Sequence, residues 1–501
     1  MENKLPESWE KIALENLELS FFKGINVSSK GSEGEYLFIP SGANFPTGIK
    51  LAKAKWISKE EFKKIPSDKI LKDKDILFNS GGVGTLGRSS FFRTNGQPVV
   101  CDSFIIIIRD EHKQTNMKYL YYWLQSSQAE ELIEANTKGT TGITSIKSSD
   151  IKSFEIPLPP LTEQHRIVAK LDALMEKVES NKQRLDKIPA LLKRFRQSVL
   201  AAAVSGKLTK EWRNMNEEVE DAKVLLERLI KKRKESKITV KLDLSISESE
   251  GINFPESWIW THLVNIADII GGVTKGRKFN GKKTIMFPYL RVANVQDGYL
   301  DLREIKEIEV LPEDIEKYKL HKGDILFTEG GDRDKLGRGT IWNNEVKKCI
   351  HQNHIFRARV NEEYIVPEYV SFFTKSEVAR NYFFENASQT VNLASINLTM
   401  LGGVPIALPP IEEQKEIVRR VDQLFVFANK IEARYIKVKS MLDKLRQSIL
   451  AKAFRGELVP QDPNDEPASV LLEKIKAEKT KISAGKRLSK FRNKKGPAKL
   501  V

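Results

Sequence analysis

The sequence predicts an α+β chain in which two similar globular domains are each followed by a long helix with a coiled-coil pattern. Three observations lead to this prediction. The chain is written twice with a period of about 250 residues. Each copy opens with short apolar runs between glycine, asparagine and proline residues and closes with a long heptad pattern. Because solenoid repeats run at roughly 20–50 residues, this longer period indicates a duplicated domain.

The repeat is clearest in two motifs. Leu158–Gln164 (LPPLTEQ) returns as Leu408–Gln414 (LPPIEEQ), and Phe195–Ala201 (FRQSVLA) returns as Leu445–Ala451 (LRQSILA). Both offsets are 250 (408 − 158 and 445 − 195), so no residue was gained or lost between the motifs. Weaker echoes are PESW at 6–9 and 255–258, DILF at 75–78 and 324–327, and LGR at 86–88 and 336–338. Two similar halves suggest a pseudo-symmetric molecule that faces a pseudo-symmetric target.

The opening part of each copy, roughly 1–157 and 254–407, predicts a mixed domain of about 150 residues. Its short apolar runs have the length and the flanking residues of buried strands, or of helices in the core. Strands are predicted at Asp75–Phe78, Arg88–Phe92, Phe104–Ile108 and Asp324–Phe327, and core helices at Tyr119–Leu124 and Tyr369–Phe373.

The closing part of each copy predicts a long helix with an apolar seam. Between 162 and 205 apolar residues recur in steps of three and four, and 412–455 repeats the pattern in the same phase. The seam positions are Ile167, Leu171, Leu174, Val178, Leu185, Ile188, Leu192, Phe195, Val199 and Ala202, then Ile417, Val421, Leu424, Ala428, Ile431, Tyr435, Val438, Leu442, Leu445 and Ile449. Asn181 interrupts the first seam where Ile431 continues the second. Each seam packs either on its own domain or against another helix, and the nearest candidate is its duplicate.

Pro189 predicts a kink or an interruption in the first long helix only. A proline removes a backbone donor and clashes with the preceding turn, and the aligned residue of the second copy is Lys439. A helix of 44 residues would span about 66 Å at 1.5 Å per residue. Gly206 and Gly456 fit helix stops.

These features divide the chain into five parts. Shorter helical echoes at Val224–Leu229 and Val470–Ile475 follow the long helices, and 236–253 is a linker rich in serine, lysine and glutamate. The expected parts are a first domain at 1–157, a central helical spacer and linker at 158–250, a second domain at 251–407, a C-terminal helical spacer at 408–482 and a basic tail at 483–501.

Composition favours a cytoplasmic protein with a polyanionic partner. The chain has 501 residues, two cysteines and a net charge of +16. No apolar run approaches the roughly 20 residues of a membrane span, and two cysteines are too few for a secreted disulfide framework. From Lys474 onward eleven basic residues face one glutamate, so the tail holds much of the charge. That tail fits a solvated end as well as it fits a phosphate-binding arm.

Residues 82–87 match the G-x-G-x-x-G pattern of dinucleotide-binding loops. The next segment predicts a strand instead of the helix that such a loop needs, and the second copy at 330–337 loses the spacing. A tight turn is therefore favoured. It would offer the backbone amides of Gly82, Gly84 and Thr85, or the side chains of Arg88 and Arg338, to a phosphate backbone.

Other catalytic patterns are incomplete. Cys349, His351 and His354 have a ligand-like spacing, but the first copy has Cys101–Phe104 there and no second cluster completes a tetrahedral metal set. Gly276–Lys283 approaches an ATP loop but places lysine where Ser or Thr must bind magnesium. No base-methylation loop and no G-x-S-x-G elbow occurs. The sequence predicts a non-catalytic binder without a metal or cofactor of its own.

Basic residues in glycine- and asparagine-rich loops are the further candidates for DNA contacts. Arginine can hold guanine bidentately, whereas lysine more often contacts phosphates. The candidates of the second domain are Lys275, Arg277, Lys278, Arg333 and Lys335. Solvated surface charge is the competing interpretation of each residue.

The chain resembles the specificity subunits of type I restriction-modification systems. The resemblance covers essentially the whole chain and is carried by the LPP and FRQS motifs at 158–168 and 195–200 and by their copies from Leu408 and Leu445. The DILF and LGR pieces inside the domains add to it.

This resemblance implies two target-recognition domains separated by two long antiparallel coiled-coil helices. Each domain would read one half of an asymmetric, interrupted double-stranded DNA target, and the helices would measure the unread spacer. Two methyltransferase subunits would dock on the helices and supply S-adenosylmethionine chemistry. Restriction and translocase subunits would supply ATP- and magnesium-dependent work.

Two other classes of function stay open at this point. A coiled-coil assembly protein whose domains bind other proteins would lack the steep salt dependence of DNA binding. A self-contained enzyme built on residues 82–87 would bind a nucleotide or S-adenosylmethionine by itself. A specificity subunit without active partners is a variant of the main interpretation.

Overall fold

The structure, a computed structural model, describes residues 4–28, 30–82, 84–138, 144–236, 254–331, 336–389, 394–477 and 480. The chain forms two compact units: Met1–Asp186 together with Ile436–Val501, and Lys187–Tyr435. Each unit therefore contains one α+β domain and a stretch of each long helix. The five-part division at 157, 250, 407 and 482 stays a prediction.

The first domain is built from short strands and short helices. Its strands are β1 Glu10–Ala13, β2 Ser20–Lys23, β3 Tyr36–Ile39, β4 Asn44–Phe45, β5 Gly48–Ile49, β6 Lys55–Ile57, β7 Ile76–Asn79, β8 Ser89–Phe91, β9 Val99–Cys101, β10 Ile105–Arg109 and β11 Glu155–Leu158. Its helices are α1 Lys59–Lys63, α2 Met117–Trp123, α3 Ser127–Asn136 and α4 Ser148–Lys152. The main sheet has the order β2-β10-β7-β8, and smaller sheets pair β6-β3-β9, β1-β11 and β4-β5.

The predicted strands and helices of this domain are confirmed. Strand β10 is central in the sheet and buried at every position, because both faces of the sheet are covered. Ile106 and Ile108 lie in one hydrophobic core, and Ile105 and Ile107 lie in another on the opposite face, which explains the unbroken apolar run. Helices α2 and α3 start where the side chains of Asn116 and Ser126 accept backbone N–H groups of the first turn, as capping residues do.

After the first domain the chain is helical. The helices are α5 Leu161–Leu185, α6 Ile188–Val204, α7 Lys210–Met215 and α8 Ala222–Glu235. The break after Leu185 confirms the interruption predicted from Pro189, which stands in the first turn of α6 where its missing N–H costs no hydrogen bond. The predicted echo at Val224–Leu229 lies inside α8. Most of the linker lies outside the described residues.

The second domain repeats the plan of the first. Its strands are β12 Ile259–His262, β13 Ala267–Gly271, β14 Ile285–Leu290, β15 Lys306–Val310, β16 Ile325–Thr328, β17 Gly330–Gly331, β18 Gly339–Ile341, β19 Ile350–His351, β20 Ile355–Val360, β21 Ser388–Gln389, β22 Ala394–Ser395 and β23 Pro405–Leu408. Its helices are α9 Leu263–Ile266, α10 Pro312–Tyr318, α11 Pro367–Thr374, α12 Glu377–Asn386 and α13 Leu398–Gly402. The main sheet β13-β20-β16-β18 and the sheets β15-β14-β19 and β12-β23 match those of the first domain one for one.

The second long helix, α14 Ile411–Phe454, is unbroken over 44 residues. A last helix covers 468–477, as the echo at Val470–Ile475 predicts. The basic tail lies outside the described residues. None of the helices in the described part of the chain combines the length and the apolar character needed to cross a membrane.

Within the second unit, α6 and α14 run antiparallel. Arg196 contacts Glu432 at 2.7 Å, and the Arg420 guanidinium donates to the Leu208 carbonyl oxygen over 2.8 Å. As the chain advances along α6, the partner on α14 therefore moves toward its start. Within the first unit, Asp186 and Lys439 form an ion pair of 3.2 Å. The buried seam residues also pack on the domains: Ile167 and Leu171 belong to the core of the first domain. Val199, Ile417 and Val421 lie together in the core of the second, so both alternatives that the sequence left open occur.

The seam prediction is wrong at two positions of α14. Ile417 and Val421 are fully buried, but the side chains of Val438 and Leu445 are 42% and 47% exposed. An α-helix has 3.6 residues per turn, so a repeat of 3.5 drifts about 20° per heptad around a straight helix. Over 44 residues the drift turns the later seam positions away from the partner helix.

The repeated LPP motifs fasten each long helix to its domain. The Trp9 indole donates to the Glu163 carboxylate over 2.9 Å, and the Trp258 indole donates to the Glu413 carboxylate over 2.8 Å. The next residue, Gln164 or Gln414, donates to the carbonyl oxygen of the preceding Pro159 or Pro409. Glu163, Gln164, Glu413 and Gln414 are all buried. These motif residues therefore position the helices.

Candidate nucleic-acid interface

A glycine-rich turn joins β7 to β8 in the first domain. Gly82, Gly84 and Gly87 have φ of +107°, +66° and +78°, a region in which residues with a side chain are strained. The Thr85 hydroxyl donates to the Gly81 carbonyl oxygen over 3.2 Å. The chain then enters strand β8 and not a helix, so the turn lacks the helix N-terminus that binds a pyrophosphate in dinucleotide sites.

The β4–β5 hairpin is fastened to this turn by buried amides. The Asn44 amide donates to the Leu77 carbonyl oxygen over 3.0 Å and to the Asn79 side-chain oxygen over 2.9 Å. The Asn79 amide donates in turn to the Ser41 carbonyl oxygen over 2.9 Å. Asn44 and Asn79 are fully buried, where a lost hydrogen bond is costly. The hairpin and the glycine turn therefore form one rigid surface element, here called the turn-and-hairpin surface.

Three cations meet at one aromatic ring of this surface. The Arg88 guanidinium lies 4.8 Å from the centroid of the Phe45 ring, and the ammonium groups of Lys50 and Lys53 lie 4.2 and 5.3 Å from it. Cation–π attraction holds such groups at the ring face. Sequence reasoning selected Arg88 and missed both lysines. Their one local signal was a lysine-rich stretch after the Pro46–Gly48 turn.

The described residues of the second domain include the end of the corresponding turn and the hairpin beside it. Gly337, with φ of +65°, precedes Arg338, whose guanidinium donates to the Gln296 side-chain oxygen over 3.3 Å. Gln296 lies on a hairpin closed by a bridge between Val295 and Leu300, 250 residues after the hairpin of the first domain. In both domains an arginine at the end of the turn therefore contacts the neighbouring hairpin.

The other predicted residues of the second domain lie elsewhere. Lys275, Arg277 and Lys278 are exposed on the connection between β13 and β14. Arg277 is held by Asp314 of α10 at 2.7 Å, so its charge is partly neutralised. Arg333 and Lys335 lie outside the described residues.

A cavity opens beside the turn in each domain. The larger, of about 540 Å³, lies in the first domain against Leu86, Arg88, Gln125 and Glu130. The smaller, of about 210 Å³, lies in the second domain and is lined at the matching positions by Leu336, Arg338, Lys375 and Arg380. Each matching position differs by 250, so the cavities are copies of one site.

The metal-like spacing of Cys349, His351 and His354 does not gather the three side chains. Cys349 and His351 are buried and bond to backbone carbonyl oxygens of Ile350 and Ile355, whereas His354 faces Glu329. Burial raises the pKa of the Cys349 thiol to about 12, so it stays protonated. No metal-binding group of three acidic, histidine or cysteine residues occurs in the described ranges.

Gly276–Lys283 does not form a phosphate-binding loop. Gly276 and Gly281 both have φ of +77°, and the residues that follow enter strand β14. An ATP loop requires a helix start at this point, where the N–H groups and the dipole hold the phosphates.

Fold and surface together define a class: two copies of one α+β domain on a shared pair of helices, with an arginine that contacts a neighbouring hairpin in each copy. The chain belongs to the family described as "Type I restriction modification DNA specificity domain", which matches residues 11–190 and 255–439. The two matched ranges follow the two copies of the repeat.

Named relatives span nearly the whole chain. The Type I restriction enzyme EcoKI specificity subunit of Escherichia coli (strain K12) is 32% identical over 97% of this chain and 98% of that protein. The StySPI specificity subunit of Salmonella potsdam is 30% identical over the same shares. The family resemblance inferred from the motifs is thereby confirmed.

Two solved structures share the fold. A chain from a study of complex assembly and conformational transition of the type I R-M system has a TM-score of 0.60 at 20% identity, covering 91% of this chain and 100% of that one. The HsdS subunit of Thermoanaerobacter tengcongensis has a TM-score of 0.52 at 20% identity, covering 91% and 98%. At this identity the likeness concerns the fold.

Proposed function

We propose that this chain is the DNA-reading subunit of a type I restriction-modification complex and that each domain reads one half of a bipartite target. The observation that carries the proposal is the duplicated turn-and-hairpin surface. In the described residues, the glycine–arginine end of the turn and the neighbouring hairpin recur in both domains, whereas the hairpin side chains differ. Phe45 and Lys50 of the first hairpin correspond to Val295 and Leu300 of the second. Different side chains on equal frames favour two different half-sites, and hence an asymmetric target.

The proposed contacts divide into two kinds. Arg88 and Arg338 stand at the turn ends, where a guanidinium can reach a base edge or a phosphate. Lys50 and Lys53, with the amides of Gly82, Gly84 and Thr85, suit the phosphate backbone. In the second domain, Lys275, Arg277, Lys278, Arg333 and Lys335 are proposed to extend the contact to neighbouring phosphates.

The paired helices are proposed to set the distance between the half-sites. Half-sites on one side of B-DNA lie about 34–36 Å apart for each helical turn. The unbroken α14, of 44 residues, has a length of about 66 Å. A helix pair of this length is long enough to fix such a spacing.

The catalytic steps are assigned to partner subunits. Two methyltransferase subunits would bind S-adenosylmethionine, and restriction or translocase subunits would bind ATP and magnesium. This chain would recognise the DNA sequence and carry out no catalysis. Supporting this, α14 exposes large apolar side chains, which mark interaction surfaces when they cluster. They are Val426, Phe427, Ile436, Val438, Met441 and Leu445. The complex would act on DNA in the cytoplasm.

Methylome sequencing of the source cell with and without this gene tests the proposal. Loss of one asymmetric, bipartite methyladenine motif is the expected result and would give the target sequence. An unchanged methylome in a cell whose partner subunits are expressed would contradict the proposal.

Salt dependence separates DNA reading from an assembly role. A chain that neutralises several phosphates loses affinity steeply as salt rises, with a slope of about −0.9 per phosphate in a double-logarithmic plot. Binding to a duplex that carries the motif should follow this law. Binding without a salt slope would favour a protein–protein assembly function instead.

A further inference from the structure

The two copies of the cavity beside the turn differ in charge. In the second domain the described lining residues include three cations, Arg338, Lys375 and Arg380, and one carboxylate, Asp297. In the first domain, Arg88 and Arg446 are balanced by Glu130 and Glu134. The formal charge of the described lining is thus +2 in the second domain and zero in the first.

The cations of the second cavity are poorly satisfied by the protein. Among the described residues, the Lys375 ammonium has no hydrogen-bond or ion-pair partner. The Arg338 Nε atom is buried and also lacks a partner within the described ranges. Arg380 reaches Asp297 only at 3.7 Å. Burial lowers the pKa of Lys375, because its charge is held away from water without a close counter-ion.

In the first cavity one arginine is bonded to the lining itself, while the Gln125 side-chain nitrogen lacks a partner within the described ranges. Gln125 stands where the second domain has Lys375, and its side-chain oxygen accepts a hydrogen bond from Arg446. Glu130 stands where the second domain has Arg380. The same backbone site is thus neutral and internally bonded in one domain but cationic and open in the other.

An anion is the ligand that would satisfy the second cavity. Its volume of about 210 Å³ is below the roughly 300–1,000 Å³ of sites for drug-sized ligands, so the fitting group is small. Arg338 belongs to both the cavity and the turn-and-hairpin surface, which places the cavity at the edge of the proposed DNA contact. Tyr299, also in the lining, is 61% exposed, so the site is open to solvent.

We propose that the cavity formed by Arg338, Lys375 and Arg380 binds one phosphate of the DNA backbone, and that the first domain has no equivalent phosphate site. This inference rests on the proposed function and adds to it. The second domain is clamped to the backbone beside its half-site, whereas the first domain relies on the cations around Phe45. The two domains therefore hold DNA by different means.

The test gives the second cavity the charges of the first cavity. The double variant Lys375→Gln, Arg380→Glu gives the second cavity the residues of the first. The control Lys231→Gln, Lys234→Glu makes the same change in net charge on α8, where both side chains are exposed and do not line the cavity. The complex is purified on a tag carried by this chain and titrated with a duplex bearing the methylome-defined motif.

The duplex is then scanned with methylphosphonates, which neutralise one phosphate at a time. In the wild type and the control, one position beside the second half-site should cost roughly tenfold to a hundredfold in affinity, as expected for a charge-assisted hydrogen bond. At that position the double variant should lose no more than about twofold, because the Lys375 and Arg380 cations are already gone; a change of this size lies within the roughly 0.3–0.5 kcal/mol scatter of additive energies.

Two other outcomes would contradict the phosphate site or the proposed function. Equal losses for variant and wild type at every position would overturn the phosphate site while leaving DNA reading intact. Absence of motif-specific binding by the wild type would overturn the proposed function and the phosphate site with it. If the double variant does not fold, Arg380→Gln serves instead, because that side chain is 48% exposed.

Discussion

At the scale of single residues, each main sheet has an arginine–aspartate ion pair at the same place, with both side chains buried in the first domain and only the aspartate buried in the second. Arg109 of β10 binds Asp75 at 2.7 Å, and Arg359 of β20 binds Asp324 at 2.6 Å. The aspartate is the first residue of the DILF motif in both copies. Arg109 and Asp75 are 4% and 1% exposed.

Removing one partner of the first pair should be severely destabilising. Asp75→Ala would leave the Arg109 charge buried and unpaired, which costs about 3–5 kcal/mol. The control is Asp73→Ala, which breaks the exposed Asp73–Arg93 pair and should cost below about 1 kcal/mol. Urea unfolding measures both. Similar losses for the two variants would contradict a buried, uncompensated charge.

His351 makes the stability of the second domain depend on pH. Burial lowers the pKa of His351 from 6.5 to about 4, so the folded domain holds it neutral. The unfolded chain binds the proton near pH 6.5, and the contribution of neutral His351 is therefore complete above pH 6.5 and is lost as pH falls toward 4. The loss is about 3 kcal/mol at most.

Unfolding curves between pH 4 and 7 check this dependence. Replacement by His351→Gln should flatten the decline that the wild type shows below pH 6.5. The control His354→Gln, at a side chain that is 51% exposed, should keep the decline. A wild-type slope that survives in His351→Gln would assign the pH dependence to other groups.

At the residue scale, a candidate could be selected from the sequence where its side chain is marked by its own repeat, and its contact with DNA stays a prediction. Arg88 and Arg338 were found because LGR occurs in both copies. Sequence reasoning did not select four other basic residues, because they come close to the turn only when the chain folds. They are Lys50, Lys53, Lys375 and Arg380. The first copy even has glutamine and glutamate in place of the last two.

At the scale of elements, the helix pair makes a direct prediction about spacing. Adding four residues after Leu185 and four after Lys439 lengthens both helices on the same side of the Asp186–Lys439 pair. Each helix grows by about 6 Å, close to two base pairs of about 3.4 Å. The unread spacer in the methylated motif should lengthen accordingly. Methylome sequencing of the variant reads the spacer directly.

The matched control lengthens one helix only. That insertion shifts the helices past one another and should abolish or weaken methylation without selecting a longer spacer. An unchanged spacer in the double insertion would contradict the proposal that the helix pair sets the distance between the half-sites.

Element-scale prediction was accurate for long elements. Heptad spacing located the long helices and proline chemistry located the break before α6, because both signals are local. The two-residue strands β4 and β5 escaped prediction, since two residues cannot show an alternation. The exposure of Val438 and Leu445 in the α14 seam also escaped it, because a helix of 3.6 residues per turn departs gradually from the heptad.

At the scale of the whole molecule, separate domains on a common frame predict modular readout. Replacing 255–410 by the corresponding part of another family member should change one half of the methylated motif. The other half should stay as before, because the first domain and its helix contacts are unaltered. Methylation mapping of the chimaera gives the answer, and a change in both halves would count against modular readout.

The two indole–glutamate anchors have an evolutionary consequence. Trp9 with Glu163 and Trp258 with Glu413 use the same bond to seat unlike domains on the helices. A genetic crossover within the DNA that encodes either LPP motif would therefore introduce a foreign domain whose tryptophan can form the same hydrogen bond with the glutamate of the helix. Recombination could then create a new DNA address in one step, with no compensating mutation in the frame.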